Sequence, residues 1–137
     1  MTTNKGKENK MMKRIFWFVA SLAMMFCSVS CVSGQQLVDN TQYSMPACKD
    51  FVAAVRKAAI GRRWSVTKVE PGKITCSLMV RQHTAVVDVV YDDKYFSIVY
   101  VDSSNMKYDP VGGAINKHYN NWVRNLARDI RIFASQQ

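Results

Sequence analysis

The sequence predicts an α+β domain in which two helices pack on one face of a four-stranded antiparallel meander. Apolar residues recur at helical spacing near residue 50 and again towards the carboxyl end. Four runs between these segments alternate apolar and polar side chains, as half-buried strands do. The links between the runs are only a few residues long, which requires antiparallel neighbours. The two helices are then the elements available to cover the apolar face of the sheet.

The first helix is predicted to begin at Pro46 and to end at Gly61. Proline favours the first helical turn, and glycine favours the position just after the last turn. The predicted apolar face consists of side chains at three- and four-residue steps, namely Cys48, Phe51, Val52, Val55, Ala58 and Ala59.

The four strands are predicted over residues 63–70, 73–81, 84–91 and 95–102. Turn residues separate them, with Pro71-Gly72 after the first strand and Asp92-Asp93-Lys94 after the third. In the second strand one set of alternate side chains is apolar and is expected to face the core: Ile74, Cys76, Leu78 and Val80.

A long helix is predicted over residues 111–135, after a loop punctuated by asparagine, aspartate and proline. It carries the clearest periodic signal in the chain, because its apolar residues step by three and four without a break. These residues are Ile115, Tyr119, Trp122, Leu126, Ile130 and Phe133.

Residues 1–30 are predicted to be a secretion signal. Lys13 and Arg14 precede an uninterrupted apolar run over residues 15–26, and small residues follow. An uncleaved amino-terminal anchor is the alternative, and Met1, Met11 and Met12 are alternative candidates for the true start of the chain. Removing residues 1–30 lowers the formal net charge from +9 to +5.

Cys31 is the predicted lipidation site, because Val29-Ser30-Cys31 is typical of the end of a lipobox. Ser28 stands where that motif usually has leucine, and ordinary cleavage after Ser33 or Gly34 is the alternative. Residues 31–45 are polar and are predicted to form a tether, which leaves residues 46–137 as a single domain.

Two cysteines are expected in the folded domain, Cys48 on the first helix and Cys76 on the second strand. Both are predicted to face the core, and the periplasm is oxidising. A Cys48–Cys76 disulfide and a pair of buried, inert thiols both fit this placement.

No catalytic, cofactor or metal-binding motif emerges. His83 and His118 have no second ligand at metal-binding spacing, and Asp92-Asp93 reads as a hairpin turn. Gly112-Gly113 lacks the Lys-Ser/Thr pair of a phosphate-binding loop. We therefore expect no enzyme activity, no metal and no cofactor.

Basic residues supply a candidate contact surface for an anionic lipid or cell-wall polymer. The last helix carries four of them on one side, at Lys117, Arg124, Arg128 and Arg131. The alternative is a solvated helix face that keeps the domain soluble. Nucleic acid is disfavoured because an exported domain does not meet it.

Several short motifs are similar to those of a group of small bacterial envelope lipoproteins without an assigned activity. The similarity spans residues 64–130, about half of the chain. The motifs are Arg63-Trp64, Pro71-Gly72-Lys73-Ile74, Arg81-Gln82-His83, Tyr100-Val101-Asp102-Ser103, Ile115-Asn116-Lys117 and Tyr119-Asn120-Asn121-Trp122-Val123. The resemblance implies a lipid-anchored domain with a sheet and flanking helices.

These features favour a membrane-anchored lipoprotein of the cell envelope, facing the periplasm or held in the outer membrane. We expect a non-catalytic binding or scaffolding domain for an envelope protein or a cell-wall polymer. The alternatives are a soluble periplasmic or secreted protein that binds a small molecule, and an enzyme with an unfamiliar site.

Overall fold

The computed structural model describes residues 34–137. The predicted signal peptide 1–30 and the predicted lipidation site Cys31 lie outside the described residues. Nine elements follow in chain order: β1 (Gln35–Leu37), β2 (Gln42–Ser44), α1 (Phe51–Gly61), β3 (Trp64–Glu70), β4 (Lys73–Val80), β5 (His83–Tyr91), β6 (Tyr95–Ser104), β7 (Ala114–Asn116) and α2 (Lys117–Ser135).

The predicted α+β fold is confirmed. Strands β3 to β6 form the antiparallel meander, and β2 adds to the outer edge of β6, which gives the strand order β2-β6-β5-β4-β3. Both helices contact each other and pack on the sheet. The alternation places one set of strand side chains in the core: Ile74, Cys76, Leu78, Ala85, Val87, Val89, Phe96 and Ile98.

The other face of the sheet is more polar, and within residues 34–137 its side chains are half-buried or exposed. Thr75 donates to the Asp88 carboxylate across β4 and β5, with an Oγ1–Oδ1 distance of 2.6 Å. Val80 was predicted to face the core, but it is 36% exposed because it lies at the end of β4, beyond most of the packed side chains.

Helix α1 begins at Phe51, five residues later than predicted. The Asp50 side chain accepts a hydrogen bond from the Ala53 backbone at 3.0 Å, which makes Asp50 the amino-terminal cap. Cys48 therefore lies before the helix rather than on its apolar face. The predicted end at Gly61 is confirmed.

Helix α2 begins at Lys117 rather than at residue 111. Residues 114–116 instead form β7, which pairs antiparallel with β1 through Gln35↔Asn116 and Leu37↔Ala114. The Asn116 side chain then accepts from the His118 backbone at 3.1 Å and caps the helix. The helix ends at Ser135, as predicted.

The segment before α1 differs from the predicted tether, because residues 35–37 and 42–44 are strands packed on the domain. Asn120, a buried polar residue on α2, holds this segment against the helix by hydrogen bonds. Its amide donates to the Leu37 carbonyl at 2.7 Å, and its carbonyl accepts from the Asp39 backbone at 2.9 Å. A polar sequence thus gains order from partners more than 80 positions away.

One charged contact joins the two helices. Arg62, at the end of α1, donates from Nε to Asp129 Oδ2 at 2.6 Å and from Nη2 to Oδ1 at 3.2 Å. The Asp129 side chain is 17% exposed, and this bidentate hydrogen bonding holds the pKa of its carboxyl below the ordinary value.

Candidate functional site

The four basic residues predicted along α2 do not form one continuous cationic surface. Arg124 lies 3.6 Å from the Asp39 carboxylate and also donates to Asn121 at 2.7 Å, so the docked amino-terminal segment neutralises it. Lys117 is exposed at the first turn of the helix. Arg128 and Arg131 are exposed near its carboxyl end.

Arg128 and Arg131 line an open groove of about 510 Å³ between α2 and the segment that follows β2. We call it the arginine groove. Its walls are Ser44, Met45 and Pro46 on one side and Arg128, Arg131, Ile132 and Ser135 on the other. The groove is therefore polar and cationic at its rim, and it has an apolar lining from three side chains.

Two local features position the groove. Ser44 ends β2, where it pairs with Tyr95, and the Met45 backbone donates to the Lys94 carbonyl at 2.7 Å. On the other wall, the Ser135 hydroxyl donates to the Ile132 carbonyl at 2.8 Å and closes the last turn of α2. A hydrogen bond to the β5–β6 turn thus holds one wall, and a hydrogen bond within α2 closes the helical turn that forms the other.

The positive charge of the groove is only partly balanced. Arg128 Nε lies 3.6 Å from Asp129 Oδ1, but that carboxylate is already held by Arg62. Arg131 forms no ion pair within 4 Å among residues 34–137. Burial and the Asp39 carboxylate raise the pKa of the neighbouring Tyr43, while Arg131 acts in the opposite direction.

The groove wall formed by residues 44–46 was missed by the sequence analysis. That segment was predicted to be a tether or the start of a helix, and its polar and proline residues carry no periodic signal. Its position depends on the pairing of β2 with β6, which is a long-range contact.

Both cysteines in the described residues are free thiols. Cys76 is buried in the sheet, and burial, followed by the Asp88 carboxylate, raises the pKa of its thiol to about 11. Cys48 is half-buried ahead of α1, beside the core. Cys48 therefore does not occupy the helix face on which the predicted Cys48–Cys76 disulfide depends.

A second concavity of about 410 Å³ lies beside β6 and the loop before β7. The rings of Tyr100 and Tyr108 stack there, with centroids 4.1 Å apart. Its remaining lining is mostly apolar: Leu37, Val38, Asn40, Val99 and Gly113. No titratable pair suited to acid–base chemistry lines it.

Within residues 34–137, no group of three or more His, Cys, Asp or Glu side chains is arranged to hold a metal ion. His83 Nδ1 donates to the Asn105 carbonyl at 2.8 Å, and the His118 ring stacks near Trp122. No helix in the same range is both long and apolar enough to cross a membrane.

Comparison with known proteins gives no match to a family model, to a curated protein or to a solved structure.

Proposed function

We propose that the protein is a membrane-anchored, non-catalytic binding domain of the bacterial cell envelope, and that its arginine groove binds an anionic cell-wall polymer. The observation that carries this proposal is that two exposed arginines, Arg128 and Arg131, line an open groove. The membrane anchor rests on the sequence, through the signal over residues 1–30 and the lipobox ending at Cys31.

The side chains of the groove favour an anionic ligand with an apolar part. A guanidinium donates two parallel hydrogen bonds to a carboxylate or phosphate, which makes arginine well suited to either group. Met45, Pro46 and Ile132 offer apolar contact next to the charges. The last turn of α2 contributes a partial negative charge of about half a unit, which two guanidinium groups outweigh.

A non-catalytic role fits the groove lining, which contains no carboxylate, imidazole or thiol. Acid–base catalysis depends on such groups, and the two serines of the lining, Ser44 and Ser135, have no general base there to activate them. An open groove with fixed walls instead suits a chain that passes through it, as a cell-wall polymer would.

A soluble periplasmic protein that binds a small anion is the second candidate. The groove volume of about 510 Å³ favours it, because small-molecule sites usually occupy roughly 300–1,000 Å³. The two candidates differ in their ligand and in their anchor, so binding and anchoring can be tested separately.

Co-sedimentation with purified cell-wall sacculi tests the binding. The full chain extracted from membranes is compared with an Arg128→Gln/Arg131→Gln variant and with an Arg56→Gln/Lys57→Gln control. The control removes the same charge from exposed positions on α1. We expect the groove variant to bind at least about tenfold more weakly, since hydrogen bonds to charged groups contribute roughly 1.5–3 kcal/mol each.

The control should bind like the wild-type protein, and added salt should weaken the binding of both. Equal binding by the groove variant and the control would contradict the proposal, as would wild-type protein that stays in the supernatant. If the wild-type protein does not bind sacculi but binds small anions through Arg128 and Arg131, the second candidate is favoured.

A further inference from the structure

One end of the domain, which we call the basic end, is built from four segments held together by hydrogen bonds. Asn105 donates to the Gln82 carbonyl at 2.8 Å, so the end of β6 meets the β4–β5 turn. The Asn116 backbone donates to the Met106 carbonyl at 2.8 Å. The Lys117 backbone donates to the Gly34 carbonyl at 2.9 Å, which adds the start of the described chain to this end.

Basic residues outnumber acidic ones at the basic end, where Asp102 and Asp109 directly flank residues 103–108. Arg81, Lys107 and Lys117 are exposed there, and His83 and His118 lie close to them in the chain. Residues 79–83, 103–108 and 116–122 contain no aspartate or glutamate.

The opposite end of the sheet has the β3–β4 and β5–β6 turns, and its charges are mixed. Glu70, Asp92 and Asp93 lie there together with Lys73 and Lys94. Basic residues are therefore in excess only towards the basic end.

The chain joins the domain at the basic end. Only residues 32 and 33 separate Cys31 from Gly34, and three residue steps span at most about 11 Å. The docking of residues 35–44 removes the longer tether that the sequence predicts. If Cys31 carries the lipid, as the proposed function has it, the basic end lies within about 11 Å of that lipidated cysteine.

We infer that the basic end rests on the anionic headgroups of the bilayer that holds the Cys31 lipid, and that the arginine groove faces away from it. Basic residues close to an anionic leaflet are attracted to it, and anchoring makes even weak contacts effective because the local concentration is high. Met79, which is 72% exposed beside Arg81, adds an apolar contact at the same end.

Helix α2 separates the two surfaces. It starts at the basic end with Lys117 and carries Arg131 near its other end. Fourteen residues at 1.5 Å each place them about 21 Å apart along the helix axis. The partner of the groove is then a molecule in the envelope space, rather than the bilayer that anchors the chain.

Hydrogen exchange measured by mass spectrometry tests this orientation on the full chain reconstituted in vesicles. We expect slower exchange in peptides covering residues 79–84 and 104–108 when the vesicles contain phosphatidylglycerol. That protection should be lost in vesicles of phosphatidylcholine alone. Peptides covering residues 92–95 and 132–137 should exchange at the same rate in both, and this comparison needs no variant.

A charge variant provides the second arm of the experiment. Arg81→Asn/Lys107→Asn/Lys117→Gln should lose the protection, whereas Lys49→Gln/Lys73→Gln/Lys94→Gln, with the same net charge, should retain it. Asparagine is chosen at the first two positions because their φ angles are positive, 57° for Arg81 and 51° for Lys107.

The outcomes separate this inference from the function on which it rests. Protection of residues 132–137 in place of the basic end would overturn the inference, and so would protection that does not depend on phosphatidylglycerol. The mass of the amino-terminal peptide, read in the same experiment, reports the lipid on Cys31. Absence of the lipid would contradict the proposed membrane anchor. Loss of sacculus binding would contradict only the proposed role of the arginine groove.

Discussion

Replacing Tyr119 by phenylalanine should stabilise the domain. Tyr119 is fully buried on α2, and its hydroxyl has no hydrogen-bond partner within residues 34–137. Burial raises the pKa of this hydroxyl above its ordinary value. The ring itself packs edge-on against Tyr100, with centroids 5.7 Å apart, and phenylalanine retains that contact.

The size of the effect follows from the cost of burying an unpaired hydroxyl. Mutational data give about 1–3 kcal/mol for such a group, and the small space left by the missing oxygen offsets part of the gain. We therefore expect Tyr119→Phe to raise the free energy of unfolding by about 1 kcal/mol. For a domain of this size, that raises the midpoint of thermal unfolding by about 4 °C.

Tyr100→Phe is the matched control, because the Tyr100 hydroxyl lies 2.9 Å from the Ser103 hydroxyl and makes a hydrogen bond with it. Its removal should lower the free energy of unfolding by about 1 kcal/mol. Urea unfolding followed by circular dichroism measures both variants. If Tyr119→Phe is destabilised as much as Tyr100→Phe, the buried hydroxyl has a partner and the reasoning fails.

Three further results are expected. Asp129→Asn should lower the free energy of unfolding by about 1–2 kcal/mol. Because Arg62 lowers the pKa of the Asp129 carboxyl, the stability that this pair gives the wild-type protein is present above about pH 4 and is lost as the pH falls through that lowered pKa. Unfolding measured over an acid pH series should show this loss in the wild-type protein and not in the variant. Iodoacetamide at neutral pH should alkylate Cys48 and leave Cys76 unmodified until the domain unfolds, and equal labelling of the two thiols in the native protein would contradict the burial of Cys76. Asn120→Ala should lower the free energy of unfolding by about 2–3 kcal/mol and speed hydrogen exchange across residues 35–45. Unchanged exchange would mean that this segment is held by other contacts.

The meander was predictable because each strand is long enough to show its period. In β4 the residues Ile74, Cys76 and Leu78 alternate with polar neighbours, and all three are buried. The turn residues around Gly72 and Asp92 mark where the chain reverses. Here local propensity and tertiary structure agree, so the sequence alone was sufficient.

The three short strands could not be predicted. β1, β2 and β7 have three residues each, which is too few for alternation to be recognised, and their stability comes from long-range pairing. The same limit explains the late start of α2, because residues 114–116 are drawn into a ribbon with β1. It also explains Cys48, since the cap at Asp50 excludes it from the helix.

Only the wall of the arginine groove that lies on α2 could be predicted from the sequence. Helical spacing, which is a local property, predicts Arg128 and Arg131 on one side of α2, and both line the arginine groove. The partner of Arg124, and the groove wall around Met45, depend on a segment that looks like a tether in sequence. The cationic surface expected along the whole helix is therefore reduced to the part near its carboxyl end, at Arg128 and Arg131.

The most direct test of the anchored envelope domain is mass spectrometry of the mature amino terminus. The account predicts that the amino-terminal peptide of the protein extracted from membranes begins at Cys31 and carries a diacylglyceryl adduct. A free amino terminus at Gly34 or Gln35 would contradict it, because the chain would then have no lipid to hold the basic end at a bilayer.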